Sequence, residues 1–440
     1  MQPRTMRPIW QPTEQAIEQA QITQFARHCA RRYRVELDRY EDFHRWSVER
    51  PAEFWSEVWD WCGVVASKKG SSVLVDGERM PGAKWFPEAR LNFAQNLLRR
   101  GDRGDALVFW DETGFRRRVS YSELTSDVSR AAQALQQLGL RAGDRAAAFI
   151  PNMPETALCA LAALSQGMVW TSCSPDFGVD GVLERFGQVE PKILFCADGY
   201  RYAGREHDSL ERVAQIVERL PSLRKVVVIP HLRAKPDLSG IAKAVLLEEW
   251  LRRHTPGEIE YVPLPFDHPA YILFTSGTTG VPKCIVHSAG GALLSGLKMY
   301  KLQFDVQPGD RFFYYTTCNW VMWNLLFEGL AAEAAVLLYD GSPFERGGRI
   351  LFDYAAAERC THFGTSAKFI DAVEKRDLRP AETHDLASLR MILSTGSPLV
   401  AESYDYVYEH VKGDVCLSSI SGGTDIMAAF GDANPALPVY

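Results

Sequence analysis

The chain has 440 residues, of which 46% are hydrophobic and 24% are charged, and its formal net charge is −6. This composition excludes a disordered or collagen-like chain, and a small negative charge without a long basic run argues against nucleic acid as the main partner. Single hydrophobic cores stop growing at roughly 250 to 300 residues, so we expect two or more packed units.

The N-terminal stretch MQPRTMRPIWQPTEQ has no apolar segment behind its arginines, and no run of 18 apolar residues occurs anywhere in the chain. These features predict a cytoplasmic protein with no membrane partner. The nine cysteines are scattered singly, without a CxxC pair. We interpret them as reduced and mostly buried thiols rather than metal ligands or a redox dithiol.

The first part of the chain, to about residue 100, is rich in tryptophan and has helical spacing. Pro51 is suited to the first turn of a helix, and the apolar residues that follow it recur at helical intervals. They are Phe54, Trp55, Val58, Trp61 and Cys62. We interpret them as a packing face, which makes residues 1–100 a helical cap on residues 101–440.

From Ser120 onward, helical and strand patterns alternate. One helical stripe ends at Gly139, which is placed as a C-terminal cap, and the residues of the stripe are Leu124, Val128, Ala131, Leu135 and Leu138. Short apolar strands follow, in RAAAFIPN, MVWTSC, ILFC and KVVVIP, with the helix PETALCALAALSQG after the first. This alternation predicts an α/β fold with mostly parallel sheets flanked by helices.

The stretch YILFTSGTTGVPK carries the strongest chemical signal. A buried strand is followed by Thr275, a run of hydroxyls and glycines from 276 to 280, and Lys283. Glycines allow close backbone approach, and hydroxyls, bare N–H groups and one cation together suit a polyphosphate. A P-loop of the NTPase type is excluded because Val281 and Pro282 separate Gly280 from Lys283. The alternative is an ordinary polar turn after a strand.

The string TSGTTGVPK closely resembles the phosphate-loop signature of the adenylate-forming superfamily, which includes acyl-CoA synthetases, luciferases and peptide-synthetase adenylation domains. LNFAQNLL, PNMPE and TSCSPDFGVDGVLERF resemble the acetyl-CoA synthetase branch, and the resemblance covers essentially the whole chain. It implies the large N-terminal domain of that superfamily. Residues 1–100 would be the N-terminal cap of the acetyl-CoA synthetase type, and residues 101–440 an incomplete AMP-binding domain.

The resemblance also implies a two-step reaction. A carboxylate attacks the α-phosphorus of ATP, and CoA thiolate then displaces AMP from the acyl-adenylate, so ATP, Mg²⁺ and CoA are the expected small molecules. Acetoacetate is the expected acid. The alternatives are another short- or medium-chain acid, or a catalytically impaired module that only binds ATP or an acyl group. No oligomeric state is predicted.

Site residues follow from the same resemblance. Thr275, Lys283, Thr424 and Asp425 are the expected catalytic residues, with Asp425 as the Mg²⁺ ligand. The expected ATP contacts are Thr275, Ser276, Gly277, Thr278, Thr279, Gly280, Lys283, Gly396, Ser397, Pro398, Ser421, Gly422, Gly423 and Thr424. Asp425 stands where relatives carry Glu, and Ser397 also replaces a Glu. The alternatives are an ordinary turn at 396–398 and a Gly-Gly hairpin at 422–423.

Four residues align with the acyl pocket, namely Val321, Met322, Thr395 and Gly422. Acetyl-CoA synthetases place Trp where Gly422 stands, so the missing indole predicts space for an acid longer than acetate. Thr395 is a candidate hydrogen-bond donor to a 3-keto oxygen, although a buried threonine that bonds to the backbone is the commoner case.

The stretch GYRYAGR resembles the loop that contacts the 3′-phospho-ADP part of CoA, which assigns Arg201, Gly204 and Arg205 to CoA, with Arg205 as the better match. Solvated surface arginines are the alternative. We interpret His287 as a structural histidine rather than a general base, and Trp320 and Trp323 as pocket wall or core.

The sequence given ends 15 residues beyond Asp425. The resemblance implies further elements after this point: a ribose-binding Asp, a hinge, and a small domain whose Lys orients the carboxylate. None of them is found within these 440 residues, so we expect the chain on its own to be impaired in adenylation.

Overall fold

The structure is a computed structural model that describes residues 7–275 and 280–440. Its N-terminal part is helical, as the aromatic spacing predicts. The elements before residue 100 are α1 (Glu14–Gln19), α2 (Gln21–Tyr33), α3 (Tyr40–Glu49), α4 (Pro51–Trp61), β1 (Ala66–Lys68), β2 (Leu74–Val75), β3 (Lys84–Trp85), β4 (Arg90–Leu91) and α5 (Phe93–Leu97).

Helix α4 shows why this region packs. It begins with Pro51, buries Phe54 and Val58 in the core, and leaves Trp55 and Trp61 half-buried against the same core. The predicted packing face is therefore confirmed. The core it joins also contains strands that follow residue 100, and the domain boundary near that residue stays a prediction.

The middle of the chain alternates strands and helices. Its elements are β5 (Asp105–Asp111), β6 (Gly114–Ser120), α6 (Tyr121–Gln137), β7 (Arg145–Phe149), α7 (Pro154–Ser165), β8 (Val169–Cys173), α8 (Val179–Val189), β9 (Ile193–Ala197), β10 (Gly199–Tyr202), β11 (Arg205–Asp208), α9 (Leu210–Glu218), β12 (Lys225–Ile229), β13 (Ala244–Leu246), α10 (Leu247–Leu251), β14 (Leu264–Pro265), β15 (Pro269–Thr275), β16 (Lys283–Ser288) and α11 (Ala289–Lys298). The predicted stripe lies on α6, and Gly139 follows this helix with a φ of +68°.

The last part continues the alternation. A π-helix at 299–303 precedes β17 (Arg311–Tyr314), α12 (Val321–Glu328), β18 (Ala335–Asp340), α13 (Glu345–Gly348), α14 (Ile350–Ala357), β19 (His362–Ser366), α15 (Ala367–Glu374), α16 (Pro380–Thr383), β20 (Met391–Thr395), α17 (Ala401–Tyr406), β21 (Cys416–Ser419), β22 (Ser421–Gly423) and β23 (Ala428–Gly431). None of the helices in the described part of the chain combines the length and the apolar character needed to cross a bilayer.

Two seven-stranded sheets form the frame. The first has the strand order β13-β12-β9-β7-β8-β15-β16, and the second has the order β21-β20-β19-β17-β18-β5-β6. All neighbouring strands are parallel except for one antiparallel pair at one edge of each sheet, β15–β16 and β5–β6. The predicted α/β fold with mostly parallel sheets is confirmed.

Helix α7 explains how the two sheets share a core. All of its residues except Glu155 are buried, and it contacts β7 and β8 of the first sheet and β5 of the second. A helix that is apolar on all sides must be covered on all sides. Other helices form separate outer cores, α8 and α9 on the first sheet and α14 and α15 on the second.

Candidate active site

A cavity of about 670 Å³ opens at the carboxyl ends of four neighbouring strands of the second sheet. The last residues of β17, β19, β20 and β21 all line it, and these are Tyr314, Ser366, Thr395 and Ser419. Helix α12 and the β22–β23 hairpin complete the wall. Ligands of open α/β sheets bind at this edge, so the cavity is the leading candidate for a substrate site.

The four predicted acyl-pocket residues come together in this cavity. Val321 and Met322 begin α12, Thr395 ends β20, and Gly422 lies in β22, yet all four line the same space. Their meeting depends on three segments that are far apart in sequence. Their contact with an acid stays a prediction.

Thr395 has a different hydrogen bond from the one expected. Its hydroxyl donates to the carbonyl of Ile420 at 2.9 Å. A hydroxyl has one proton, and a ketone oxygen can only accept, so the same Thr395 hydroxyl cannot also donate to a 3-keto oxygen. The structure therefore favours the backbone-bonding alternative over the predicted contact with substrate.

Gly422 has no room for a side chain. A Cβ atom at this position would lie 2.3 Å from the carbonyl oxygen of Ala428 and 3.2 Å from the Cα of Ala429. Both atoms belong to β23, with which Gly422 pairs. The hairpin itself therefore favours glycine at this position, and the predicted link between Gly422 and the length of the acid stays a prediction.

The expected nucleotide segments line the same cavity. Gly396, with a φ of +92°, follows β20 and is continued by Ser397 and Pro398. Ser421, Gly423 and Thr424 line the cavity from the β22–β23 hairpin. Gly422 and Gly423 lie in strand β22 rather than in a glycine turn, and the turn of the hairpin is formed by residues 424–427, which include Thr424 and Asp425.

Asp425 is suited to binding a metal ion that enters the site together with the substrate. Its side chain is exposed and folds over Gly423, where an added Cβ would lie 2.6 Å from the carboxylate Oδ1. Among the residues that the structure describes, no group of three or more acidic, His or Cys side chains could hold a metal ion. Mg²⁺ commonly takes one or two carboxylates together with phosphate oxygens and water, so a single carboxylate fits Mg²⁺ bound to ATP.

The described ends of the phosphate loop lie next to each other. Thr275 ends β15, Lys283 begins β16, and the two residues are directly paired. Gly280 has a φ of +108°, and the Lys283 side chain is exposed. The predicted contacts Ser276, Gly277, Thr278 and Thr279 lie outside the described residues.

His287 links this strand to the hairpin. Its ring nitrogen Nε2 lies 2.7 Å from the carbonyl oxygen of Thr424, 137 residues away in sequence. Burial lowers the pKa of the His287 imidazole below its usual value. The hydrogen bond supports the interpretation of His287 as a structural histidine.

The predicted CoA residues lie on the β10–β11 hairpin, and none of them lines the cavity. Arg201 is already paired, with its guanidinium 2.7 Å from the carboxylate of Glu206 and 3.8 Å from that of Asp111. Arg205 is exposed and makes no ion pair within the described ranges. Arg205 is therefore the better placed of the two arginines to receive a phosphate.

Glu112 is a residue that the sequence reasoning missed. Its carboxylate accepts hydrogen bonds from the backbone N–H groups of Ala203 at 2.6 Å, Gly204 at 2.8 Å and Ser342 at 2.6 Å. It therefore attaches the tip of the β10–β11 hairpin to the end of β18. The available signal was its place directly after the apolar strand β5, where acidic residues meet the carboxyl edge of a sheet.

The tryptophans have the expected structural roles. Trp320 lines the cavity and is 60% exposed, whereas Trp323 is buried and donates its indole N–H to Asn152 at 3.0 Å. The first is pocket wall and the second is core.

Comparison with known families decides the class. Residues 94–428 match the model of the AMP-binding enzyme family, and residues 40–97 match that of the acetyl-coenzyme A synthetase N-terminus. The chain belongs to the AMP-binding enzyme family. The family match includes the phosphate loop, the cavity and the Thr424–Asp425 turn.

Two curated relatives of this AMP-binding enzyme align along almost all of the chain. The acetoacetyl-coenzyme A synthetase of Rhizobium meliloti (strain 1021) is 49% identical over 435 residues, which are 99% of this chain and 66% of the relative. The malonamoyl-CoA synthetase vrtB of Penicillium aethiopicum is 37% identical over 96% of this chain and 62% of its own length.

A solved structure shares the fold. The acetoacetyl-CoA synthetase from Streptomyces lividans superposes with a TM-score of 0.94 at 41% identity, over 99% of this chain and 67% of that one. The 440-residue AMP-binding enzyme thus spans somewhat less than two thirds of the length of the curated relatives that it matches.

Proposed function

We propose that this AMP-binding enzyme ligates acetoacetate to CoA through an acetoacetyl-AMP intermediate. A carboxylate oxygen bonds to the α-phosphorus of ATP and pyrophosphate leaves. The sulfur of CoA then attacks the acyl carbon, AMP leaves, and the thiol proton is released. The observation that carries this proposal is the single cavity in which the acyl positions, the 396–398 segment and Thr424 meet.

The first step brings two anions together, so cationic and hydrogen-bonding groups must stabilise the developing charge. Lys283 supplies the cation next to Thr275 at the described ends of the phosphate loop. The hydroxyls and glycines of that loop complete the proposed phosphate site. Asp425 would hold Mg²⁺, which shields the phosphate charge when it is bound, and Thr424 would contact the α-phosphate.

Acetoacetate is proposed because of what the relatives' names share. Acetoacetyl and malonamoyl groups both carry a carbonyl on the third carbon and have nearly the same size. Val321 and Met322 offer apolar walls in a cavity of about 670 Å³, which suits the carbon chain of a short acid beside the nucleotide segments. Another short- or medium-chain acid is the second candidate. For CoA we propose Arg205 as the phosphate contact, with Arg201 and Gly204 shaping the same hairpin.

We also propose that the partners are small molecules and that the location is cytoplasmic. Eight of the nine cysteines are buried and Cys284 is half-buried, which suits their interpretation as reduced packing residues. The proposal for location rests on the sequence features given above.

The deciding experiment is exchange of labelled pyrophosphate into ATP by the purified chain, which reports adenylation without CoA. Acetoacetate, acetate, propionate and butyrate are compared at equal concentration, with Lys283→Met as a matched variant. We expect exchange with acetoacetate to exceed exchange with acetate at least tenfold. Lys283→Met should lower exchange with every acid by about 10²- to 10³-fold, the usual loss for one charge-stabilising group.

Two results would contradict the proposal in different ways. Equal or faster exchange with butyrate would replace acetoacetate by another acid. Measurable ATP binding without exchange for any acid would assign a binding-only role to this chain.

A further inference from the structure

His287 makes a hydrogen bond whose direction is determined by chemistry. Its Nε2 atom lies 2.7 Å from the carbonyl oxygen of Thr424. A carbonyl oxygen can only accept, so Nε2 carries the proton and His287 donates. A half-buried side chain of β16 therefore holds one peptide group of the turn that carries Thr424 and Asp425.

Strand β16 also begins with Lys283, the cation of the phosphate loop. Lys283 and His287 are four residues apart on β16, and their pairing with Thr275 and Tyr271 is regular. Side chains alternate along a strand, so residues four apart lie on the same face, about 13 Å from each other along the strand axis. One face of β16 thus carries both Lys283 and the donor to Thr424.

The turn held by His287 has its other support mainly at its far end, near Met427. It is closed by two hydrogen bonds from the N–H groups of Ile426 and Met427 to the carbonyl of Gly423, at 3.3 and 3.1 Å. Met427 has a φ of +46°, a conformation that non-glycine residues seldom adopt. Met427 is buried in the main core, whereas Ile426 and Asp425 are exposed, so apolar packing holds the end of the turn at Met427 but not the end that carries Thr424 and Asp425. Anchoring the Thr424 carbonyl fixes the peptide plane from which Asp425 projects.

We propose that His287 is a positioning residue that sets the Thr424–Asp425 turn at a fixed distance from the phosphate loop. Strand β16 acts as the spacer, with Lys283 at one end and the hydrogen bond to Thr424 at the other. This inference rests on the proposed function, because that proposal assigns the two segments to the phosphates and the metal of one nucleotide. It assigns His287 no proton transfer.

The test compares His287→Gln, which keeps an N–H donor at a similar reach, with His287→Leu, which keeps volume and removes the donor. Val286→Thr is the matched control, because Val286 lies on the opposite face of β16 and is 55% exposed. The first readout needs neither nucleotide nor metal: amide hydrogen exchange of the 421–431 segment. His287→Leu should speed this amide hydrogen exchange about tenfold. His287→Gln and Val286→Thr should leave its rate as in the unmodified chain.

The second readout is binding of ATP with and without Mg²⁺. Mg²⁺ should increase the ATP affinity of His287→Leu about 10- to 100-fold less than it increases that of the unmodified chain. This is the usual effect of removing a group that orients a metal ligand. Binding of ATP without Mg²⁺ should stay within threefold, since the phosphate loop is untouched. Gln should retain the gain. In pyrophosphate exchange, the loss in Leu should appear in the maximal rate rather than in the KM for the acid.

Unchanged hydrogen exchange and an unchanged Mg²⁺-dependent gain in His287→Leu would overturn the inference. An equal loss in Gln and Leu would also overturn it, because the imidazole ring rather than the donor would then be needed. Absence of pyrophosphate exchange in the unmodified chain would count against the proposed function alone. The role of His287 is decided separately, by amide hydrogen exchange and by ATP binding.

Discussion

Position 422 shows how one missing side chain can have a conformational cause. The family resemblance relates its glycine to the size of the acyl pocket, whereas the hairpin geometry relates it to the Ala428 carbonyl oxygen, which would lie 2.3 Å from a Cβ added at Gly422. The second explanation is stronger at this position, because a carbonyl oxygen in a paired strand cannot move aside as a flexible side chain can. We therefore propose that acid size is controlled by residues whose side chains line the cavity, such as Val321.

The two explanations for Gly422 predict different effects of substitutions on activity. Gly422→Ala should displace β23 and lower pyrophosphate exchange with all acids by tenfold or more, without selectivity. Val321→Phe should fill the cavity and raise the KM for acetoacetate by about 10- to 100-fold, in line with the 1–3 kcal/mol typical of overpacking, while acetate is affected less. Acid-selective loss in Gly422→Ala would restore the simple pocket explanation.

At the scale of elements, the β10–β11 hairpin is held by a carboxylate outside it. Glu112 accepts three backbone hydrogen bonds, two from the hairpin tip and one from Ser342. The next residue back, Gly341, accepts from the Tyr315 hydroxyl at 3.0 Å, and Tyr315 lines the cavity. A chain of polar contacts therefore connects the proposed CoA hairpin to the cavity wall.

We expect Glu112→Ala to weaken CoA use while sparing adenylation. Bonds to a charged acceptor contribute about 1.5–3 kcal/mol each, and losing the anchor should raise the KM for CoA about tenfold. Pyrophosphate exchange, which needs no CoA, should change less than threefold. Glu211→Ala is the control, because Glu211 is an exposed carboxylate on α9, outside the hairpin. Equal losses in both reactions would show that Glu112 supports the fold alone.

At the scale of the molecule, the two sheets meet through buried polar groups. Asn152, which follows β7 of the first sheet, donates its side-chain amide to the carbonyls of Thr316 and Tyr339, both at 3.4 Å. Its backbone N–H donates to Asp340 at the end of β18. Burial, together with the nearby carboxylates of Asp111 and Glu112, raises the pKa of Asp340 to about 7.

This junction should make stability depend on pH. The folded chain holds the Asp340 proton up to about pH 7, whereas an unfolded Asp releases it near pH 4. The stabilising contribution is therefore complete below about pH 4 and is lost as the pH rises to about 7. Asp340→Asn mimics the protonated form. Its free energy of unfolding should therefore be closer to that of the unmodified chain near pH 5 than at pH 8.

The measurement is thermal unfolding of both chains from pH 5 to pH 8. We expect the advantage of Asp340→Asn to grow with pH and to level off above pH 7, with an upper limit of roughly 4 kcal/mol for a shift of about three pKa units. Parallel pH profiles for the two chains would show that Asp340 is not the group responsible.

The sequence by itself determined the order of helices and strands, the parallel character of the sheets and the family. Those features depend on local periodicity and on short strings such as TSGTTGVPK, in which neighbouring residues carry the signal. The tertiary structure alone decided which distant residues meet, such as His287 with Thr424 and Glu112 with Gly204. These contacts join segments 137 and 92 residues apart. The partner of a hydrogen bond or a close contact is set by how sheets and hairpins pack in space, and no local pattern encodes that partner.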